Sequence, residues 1–346
     1  MKSMFEGAKP TQDMLNSKGG ITVAGQKYNI EYAVQDDKSS PPDGVAATNK
    51  LIQDGVKYIV APIFPPVGLA MAPICEAAKV IRVNPTQNEP KQFGPENPYY
   101  FDAWMTAYDI VPTYDFLQKH YPNAKKIALI APDDPGINTC FDLVSQECQK
   151  RGLTVVAKER FPTDTADFTS IVTKILAQKP DAIDGIGGLA IWSTGYINAA
   201  RDQGFTGPIY ADLIFGDPNL LLKMIKPANL NDIFEGAPDV LSDQMTPIVK
   251  ELRPLVEKTG AQYILDSANV LNATMVMLAG IQAAQSFDTD KVKAALEKMN
   301  TIDTPWGRGV MTGEDLGGLK HMIKLEKVPM SWIMNGKIQF EWVSSQ

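Results

Sequence analysis

The sequence predicts an α/β protein made of two successive units, each a largely parallel sheet covered by helices. Three observations carry this prediction. Short apolar runs alternate with segments of helical period, joined by brief turns. Runs such as KYIV read as strands buried on both faces, which is what parallel sheets require. The alternation pauses at the polar, proline-containing stretch EPKQFGPENPYYFDAW and then restarts, so a second unit occupies roughly residues 105–235.

Each element has a local reason. SMFEGAKPTQDMLNSKGG reads as a helix stopped by Gly19 and Gly20, with Pro10 a blemish inside it. KYNIEYAVQD alternates like a strand, and SSPPDGVAATNKLIQDG is a helix with Ser and Pro at its start and Gly55 at its end. KYIVAP and VIRVNP are strands separated by a helix after Pro66. In the second unit TAYDIVPTYDFLQKHY is helical, KKIALIAP a strand, GINTCFDLVSQECQKRG a helix and LTVVAKERF a strand. The helix ADFTSIVTKILAQKP, the strand DAIDGIGG, a helix around IWSTGYINAARDQG and the strand PIYADL continue the rhythm. After FEGAPDVL come two long helices, TPIVKELRPLVEKTG and YILDSANVLNATMVMLAGIQAAQSF, then the helix TDKVKAALEKM. The end, HMIKLEKVPMSWIMNGKIQFEW, reads as short strands with an Asn335–Gly336 hairpin turn. Helices that return so late predict a chain crossing between two lobes more than once, with a cleft at the strand tips.

Composition narrows the function. The chain of 346 residues is 44% apolar and 21% charged, with a formal charge of −7 and its Lys and Arg scattered. That balance disfavours nucleic acid and anionic membranes as partners. No run approaches the ~18 apolar residues of a membrane span, and MKSMFEGAKPTQ has no apolar core of a signal peptide. Cys140 and Cys148 stand eight apart on one expected helix, roughly 12 Å along its axis and too far to bridge. With Cys75 on an apolar face, three buried free thiols are expected.

Catalytic machinery is not visible. The sequence contains no P-loop, no H-E-x-x-H, no C-x-x-C and no G-x-S-x-G. GIGG at 185–188 follows a strand but lacks the spacing of a dinucleotide site. His120 ends a helix, where a cation is commonplace; His321 sits in a terminal strand, where surface or lobe packing is expected. Asp36–Asp37 and Asp133–Asp134 each follow a strand and are expected to face solvent or cap helices. The acids are too dispersed for a metal site, and no cofactor is called for. A binding role remains.

Several segments then resemble a known family. NSKGGITVAGQKYNIEYAVQDDKSSPPDGVAATNKLIQDGVKYIVAP, NPYYFDAW and FPTDTADFTSIVTKILAQKPDAI are similar, in order and spacing, to type I periplasmic solute-binding proteins of the branched-chain amino-acid (Leu/Ile/Val-binding) transporter group. The resemblance covers essentially the whole chain. It implies two Rossmann-like lobes, residues 1–104 with 237–312 and residues 105–236 with 313–346. Three hinge strands near Ala103–Met105, Gly236–Pro238 and Met311–Gly318 would link them. It implies a non-enzymatic, monomeric, extracytoplasmic protein that closes on a small solute and docks on a membrane permease of an ABC transporter. One departure is large. The family begins with an apolar strand and a P-L-S/T-G-like loop, whereas SMFEGA already lies in the first helix, so that strand and the export signal are expected to be missing here.

The resemblance also places the ligand contacts. Where amino-acid-binding members offer a serine hydroxyl and a backbone N–H to the ligand carboxylate, this chain has Phe64, Pro65 and Pro66, and proline has no N–H. At the next tip Thr86, Gln87 and Asn88 can still donate. In the other lobe Pro135 stands in place of a tyrosine, and Leu189, Ala190 and Ile191 in place of an aromatic, with Trp192 just beyond. The family's ammonium-binding acid falls near DLIFGD, where Asp212 is close but Leu213 or Ile214 occupies the matching position. With Trp104 and Phe215 added, the set suits a flatter, less polar solute, an aromatic or short-chain carboxylate. The alternatives are a branched-chain or other α-amino acid, a ligand-sensing domain of a signalling protein and, least favoured, an enzyme. Pro66 has a plainer explanation too, as a helix start.

Overall fold

The structure is a computed structural model that describes residues 2–87, 89–134, 137–187, 189–212 and 215–345. In chain order its helices and strands begin with α1 (Lys2–Ser17), β1 (Ile21–Val23), β2 (Gln26–Tyr28), α2 (Pro41–Gln53), β3 (Tyr58–Val60), α3 (Pro65–Ala77), β4 (Ile81–Asn84) and β5 (Tyr100–Asp102). There follow α4 (Ile110–His120), β6 (Lys126–Pro132), α5 (Asn138–Lys150), β7 (Thr154–Phe161), α6 (Thr169–Ala177), β8 (Ala182–Gly185), α7 (Ala190–Asp202), β9 (Ile209–Ala211), α8 (Pro218–Met224) and β10 (Ile233–Glu235). The chain ends with α9 (Pro247–Glu257), α10 (Leu265–Ala284), α11 (Thr289–Lys298), β11 (Thr301–Thr304), β12 (Gly307–Thr312), β13 (Met322–Leu325), β14 (Lys327–Met334) and β15 (Lys337–Ser344).

The chain forms two compact α/β units, the first from residues up to 105 and 245–326, the second from 106–244 and from 327 onward. This differs from the division that the resemblance implied at two segments. Residues 313–326 belong to the first unit because β13 pairs with both β12 and β5 there. Residues 237–244 stay with the second unit, where Ser331 of β14 donates to the Ala237 carbonyl.

The first unit carries a six-stranded sheet in the order β11-β12-β13-β5-β4-β3. Its half from β13 to β3 is parallel, and β12 and β11 add antiparallel. Helix α10 is buried along nearly its whole length, which explains why its sequence shows no polar face. Helix α1 lies directly on it: a Cβ at Gly7 would run into the Ser267 backbone, so only glycine permits this approach. The expected strand over KYNIEYAVQD is mostly absent. Only Gln26–Tyr28 pairs, in a small hairpin with β1, and residues 29–37 form no strand. Among the described residues no strand of the sheet pairs with this segment. β3 is the outermost strand, and the Ile30 backbone is instead held at both N–H and C=O by the Asn16 side chain, at 2.8 Å each. An alternating pattern cannot make a strand without a ladder to join.

The second unit carries a seven-stranded sheet, β15-β14-β10-β9-β8-β6-β7, parallel from β7 to β10 and finished by the β14–β15 hairpin turning at Asn335–Gly336. Register fixes its two faces. Ile183, Ile209 and Ile233 stand in line across β8, β9 and β10 and pack with Val172, Ile175, Ile197 and Leu221 from α6, α7 and α8. One residue on, Asp184, Tyr210 and Phe234 stand in line on the opposite face, where Phe116 of α4 stacks on Phe234 at 5.3 Å. Helix α8 and strands β11 and β12 were not legible in the sequence. α8 is short and is set by Asp217, whose carboxylate accepts from the Asn219 and Leu220 N–H groups.

The three cysteines are buried and free, as expected. His321 is not at a surface: it is fully buried, with its ring nitrogens 3.0 Å from the Tyr100 carbonyl and the Glu297 carboxylate. His120 lies between Phe116 and Glu341 of β15. Asp36 and Asp37 shape the turn into α2 by accepting from the Lys38 and Ser39 N–H groups at 2.9 Å. Among the described residues no single helix is long and apolar enough to cross a membrane.

In hydrogen-exchange measurements the Glu31, Ala33 and Val34 amides are expected to exchange at near-random-coil rates, because none has a partner among the described residues. Ile30 and Tyr32, which donate to Asn16 and Gln12, should be slower. Strong protection across all five would show that residues 29–37 pair with another segment.

Candidate functional site

In parallel α/β sheets the ligand end is where strands finish and helices begin, because free backbone N–H groups collect there. The site is therefore a question of which donors remain at each tip. In the first unit, β3 runs into α3 with Phe64 as the N-cap residue and Pro65 and Pro66 as the first two helical residues. Two of the N–H groups that a helix start normally leaves free are thus missing. A third, on Val67, is turned back to the Phe64 carbonyl at 3.2 Å. This helix start offers almost nothing to a carboxylate. What it does present is apolar: Phe64 is 42% exposed, Pro66 is exposed and Pro65 half-buried.

The neighbouring tip is held by residues that the sequence reading passed over. Asn84, fully buried at the end of β4, donates to the Pro62 carbonyl at 3.2 Å and the Tyr100 hydroxyl at 3.0 Å, while its own carbonyl accepts from the Thr86 N–H at 3.0 Å. Asn272 of α10 donates to the Pro85 carbonyl at 2.6 Å. The signal was present, since both are polar residues inside otherwise apolar buried segments. Behind them Arg82 is fully buried, bonded to the Gly68 carbonyl and to Glu76 at 3.0 Å and stacked on Tyr100 at 3.9 Å.

This network spends the donors expected from Thr86 and Gln87. The Thr86 N–H goes to Asn84, and the Gln87 N–H goes to the Trp104 carbonyl at 3.2 Å. Gln87 is itself buried; Thr86 is half-buried and keeps its hydroxyl. Asn88 lies outside the described residues. Trp104 corrects an expectation: it is 2% exposed and packs 6.0 Å from Trp306, a core residue rather than a displayed ring.

In the second unit α7 has a helix start with free donors. Leu189 caps it, and its carbonyl accepts from Trp192 at 2.9 Å and Ser193 at 3.0 Å. The N–H groups of Ala190 and Ile191 have no partner among the described residues, and Ile191 is 63% exposed. Trp192 is half-buried, edge-on to Phe161 at 5.6 Å. Asp212 follows β9, half-buried, its backbone carbonyl accepting from the Ser193 hydroxyl at 2.8 Å. Phe215 also corrects an expectation: it is fully buried in the core, and its N–H donates to Glu235 at 2.7 Å. Pro135, Leu213 and Ile214 lie outside the described residues.

Behind these tips the second unit buries an acidic group that the sequence reading also missed. Asp184 of β8 accepts from the Tyr114 hydroxyl at 2.7 Å, and Tyr114 accepts from the Cys148 thiol at 3.2 Å. Burial, with Asp212 adding to it, pushes the Asp184 carboxyl up to about 7, while the Tyr114 bond pulls the other way. Among the described residues no group of three or more His, Cys, Asp and Glu side chains is placed to hold a metal. Surface hollows occur elsewhere, such as one of about 540 Å³ lined by Tyr121, Pro180 and Phe205, at the end of the sheet where β6 and β9 begin.

Both units thus carry helix starts at the tips of parallel strands, poor in free donors at α3 and with two free at α7. The chain belongs to the periplasmic binding protein family, whose model matches residues 1–323. It is 25% identical over 179 residues to the Leu/Ile/Val-binding protein BraC3 of Rhizobium johnstonii, covering 51% of this chain and 47% of that one. The chain thus spans about half the length of the first curated relatives it matches. It is 24% identical over 331 residues to the Leu/Ile/Val-binding protein of Escherichia coli, across 91% of this chain and 83% of that one. The fold matches a Streptococcus pneumoniae branched-chain amino acid transporter substrate binding protein, LivJ, in complex with isoleucine. That match has a TM-score of 0.77 and 18% identity, over 99% of this chain and 94% of that one. It also matches a solute binding protein of an ABC transporter from Rhodopseudomonas palustris in complex with p-hydroxybenzoic acid, at TM-score 0.79, 21% identity and the same coverage.

Replacing Asn84 by alanine removes three hydrogen bonds and strands buried polar partners, so Asn84→Ala should cost about 2–4 kcal/mol of stability. Urea unfolding of wild type and variant checks this. A loss under about 0.5 kcal/mol would mean that Asn84 does not hold the tip.

Proposed function

We propose that this protein is the substrate-binding component of an ABC importer, a monomer working outside the cytoplasm that hands a small solute to a membrane permease. On this reading the solute is an aromatic or short-chain carboxylate, and capture is a population shift toward a closed form that binds it more tightly. The role is binding, without catalysis.

One observation carries the choice of solute: the contrast between the two helix starts. α3 has proline at both of its first positions, while α7 leaves the Ala190 and Ile191 N–H groups free. An α-amino acid carries a carboxylate and an ammonium on one carbon and needs donors and an acid close together. Burying either charge without partners costs several kcal/mol. An aromatic acid needs one cluster of donors and a flat apolar wall. The α7 start supplies the first, with Trp192 of the same unit as an apolar wall, while Phe64, Pro65 and Pro66 make the α3 start of the other unit apolar as well. Proteins of the same fold carry isoleucine in one case and p-hydroxybenzoic acid in another, so the fold accommodates both classes.

A second reading, an amine-bearing solute such as a branched-chain amino acid, draws on Asp212, whose backbone carbonyl accepts from the Ser193 hydroxyl in the first turn of α7.

Thermal shifts against benzoate, 4-hydroxybenzoate, short aliphatic acids, leucine and valine test the choice. A solute at 100 times its Kd stabilises by about 2.7 kcal/mol, several degrees for units of this size. Shifts with the simple carboxylates and none with leucine or valine are expected; the reverse would favour the amine reading. The double variant Pro65→Ala, Pro66→Ala restores two donors and should strengthen leucine binding about tenfold, some 1.4 kcal/mol. Unchanged leucine binding would remove the prolines from the argument.

A further inference from the structure

We propose that Asp184 is a proton-holding residue of the second unit and that its proton sets the charge of the solute-binding tips, entering with an anionic solute and leaving with a cationic one. The coupling to solute rests on the function proposed above; the proton-holding role does not.

Asp184 is the register partner of Tyr210 and lies on the same face of the sheet, with Asp212 two residues further along β9's direction. It is 6% exposed. One carboxylate oxygen is occupied by the Tyr114 hydroxyl, and the other, Oδ1, is buried with no hydrogen-bond partner among the described residues. A buried ionised carboxylate normally gathers two or three donors. Asp184 has one.

Among the described residues its surroundings supply no compensating charge. Tyr114 from α4 and, through it, Cys148 from α5 face it on one side. Tyr210 from β9, Tyr196 from α7 and Asp212 at the tip complete the neighbourhood. The charges that bear on Tyr210 come from Asp212, Glu235 of β10, Asp184 and Asp109 at the start of α4, and all are negative. With no cation among them, the arrangement favours the neutral acid, whose O–H then becomes a donor. The raised Asp184 carboxyl, at about 7, agrees with that geometry.

Ionising Asp184 therefore adds one negative charge behind the tips close to neutral pH. A solute carboxylate at the α7 start disfavours that ionisation and draws a proton in, so its affinity falls as pH rises through 7. An ammonium group at Asp212 does the opposite.

The first test uses the ligand-free protein. Thermal unfolding of wild type and Asp184→Asn is compared from pH 4 to 8. The sign is fixed by linkage. A carboxyl raised in the folded state binds more protons folded than unfolded between about pH 4 and 7, so it costs stability as pH rises across that window. The wild-type melting temperature should accordingly fall relative to the variant between pH 4 and 7 and then run parallel. A constant difference overturns the proposal. Should the variant not fold, carbon-13 carboxyl NMR of wild type decides instead: one aspartate titrating near 7 supports the proposal, and none above 5 overturns it.

The second test is calorimetry at pH 7 in two buffers of different ionisation enthalpy, with 4-hydroxybenzoate and with leucine. Proton uptake with 4-hydroxybenzoate, abolished in Asp184→Asn, is expected; bound 4-hydroxybenzoate with no proton change overturns the coupling. If only leucine binds, the carboxylate reading of function fails, while the ligand-free titration still decides the role of Asp184.

Discussion

The supply of backbone N–H groups at the strand tips is the constraint on which the rest depends. A parallel sheet directs every strand toward a helix start, and each start normally leaves several donors free. This chain removes two of them covalently at α3 and turns the next inward. At α7 the next N–H also turns inward, to Leu189, but the first two, on Ala190 and Ile191, remain. The placement of polar and apolar surface around the candidate site follows from that asymmetry.

Rigid support makes the asymmetry meaningful. Asn84 and Asn272 fix the loop from Pro85 to Gln87 through bonds to backbone carbonyls and an N–H, and Arg82 braces α3 through the Gly68 carbonyl. These buried polar residues consume the donors that might otherwise have reached a solute. In the second unit the same kind of buried residue, Asp184, remains under-satisfied, with a single donor on one of its two oxygens.

Much of the fold was legible in the sequence, because continuous apolar runs and helix punctuation are local signals. α2, with Ser40 ahead of Pro41 and Gly55 behind, and the Asn335–Gly336 hairpin stand where they were expected. The strand expected in KYNIEYAVQD was not legible, because pairing depends on a neighbour that the sequence of the segment cannot reveal. The candidate site was only partly legible. Pro65 and Pro66 announce their own lack of donors, whereas the orientation of Trp104 and Phe215 is decided by tertiary packing and turned out to be inward. Asn84 and Asp184 were visible as polar residues in buried strands, yet their partners, Tyr100 and Tyr114, come from distant parts of the chain.

The central claim is that the carboxylate of the solute is held at the start of α7 and not at the start of α3. Amide chemical-shift mapping with 4-hydroxybenzoate tests it most directly. The account predicts the largest perturbations at the Ala190 and Ile191 amides, with Val67 and Gly68 little changed. Perturbations concentrated at Val67 and Gly68, with Ala190 and Ile191 unmoved, would contradict it.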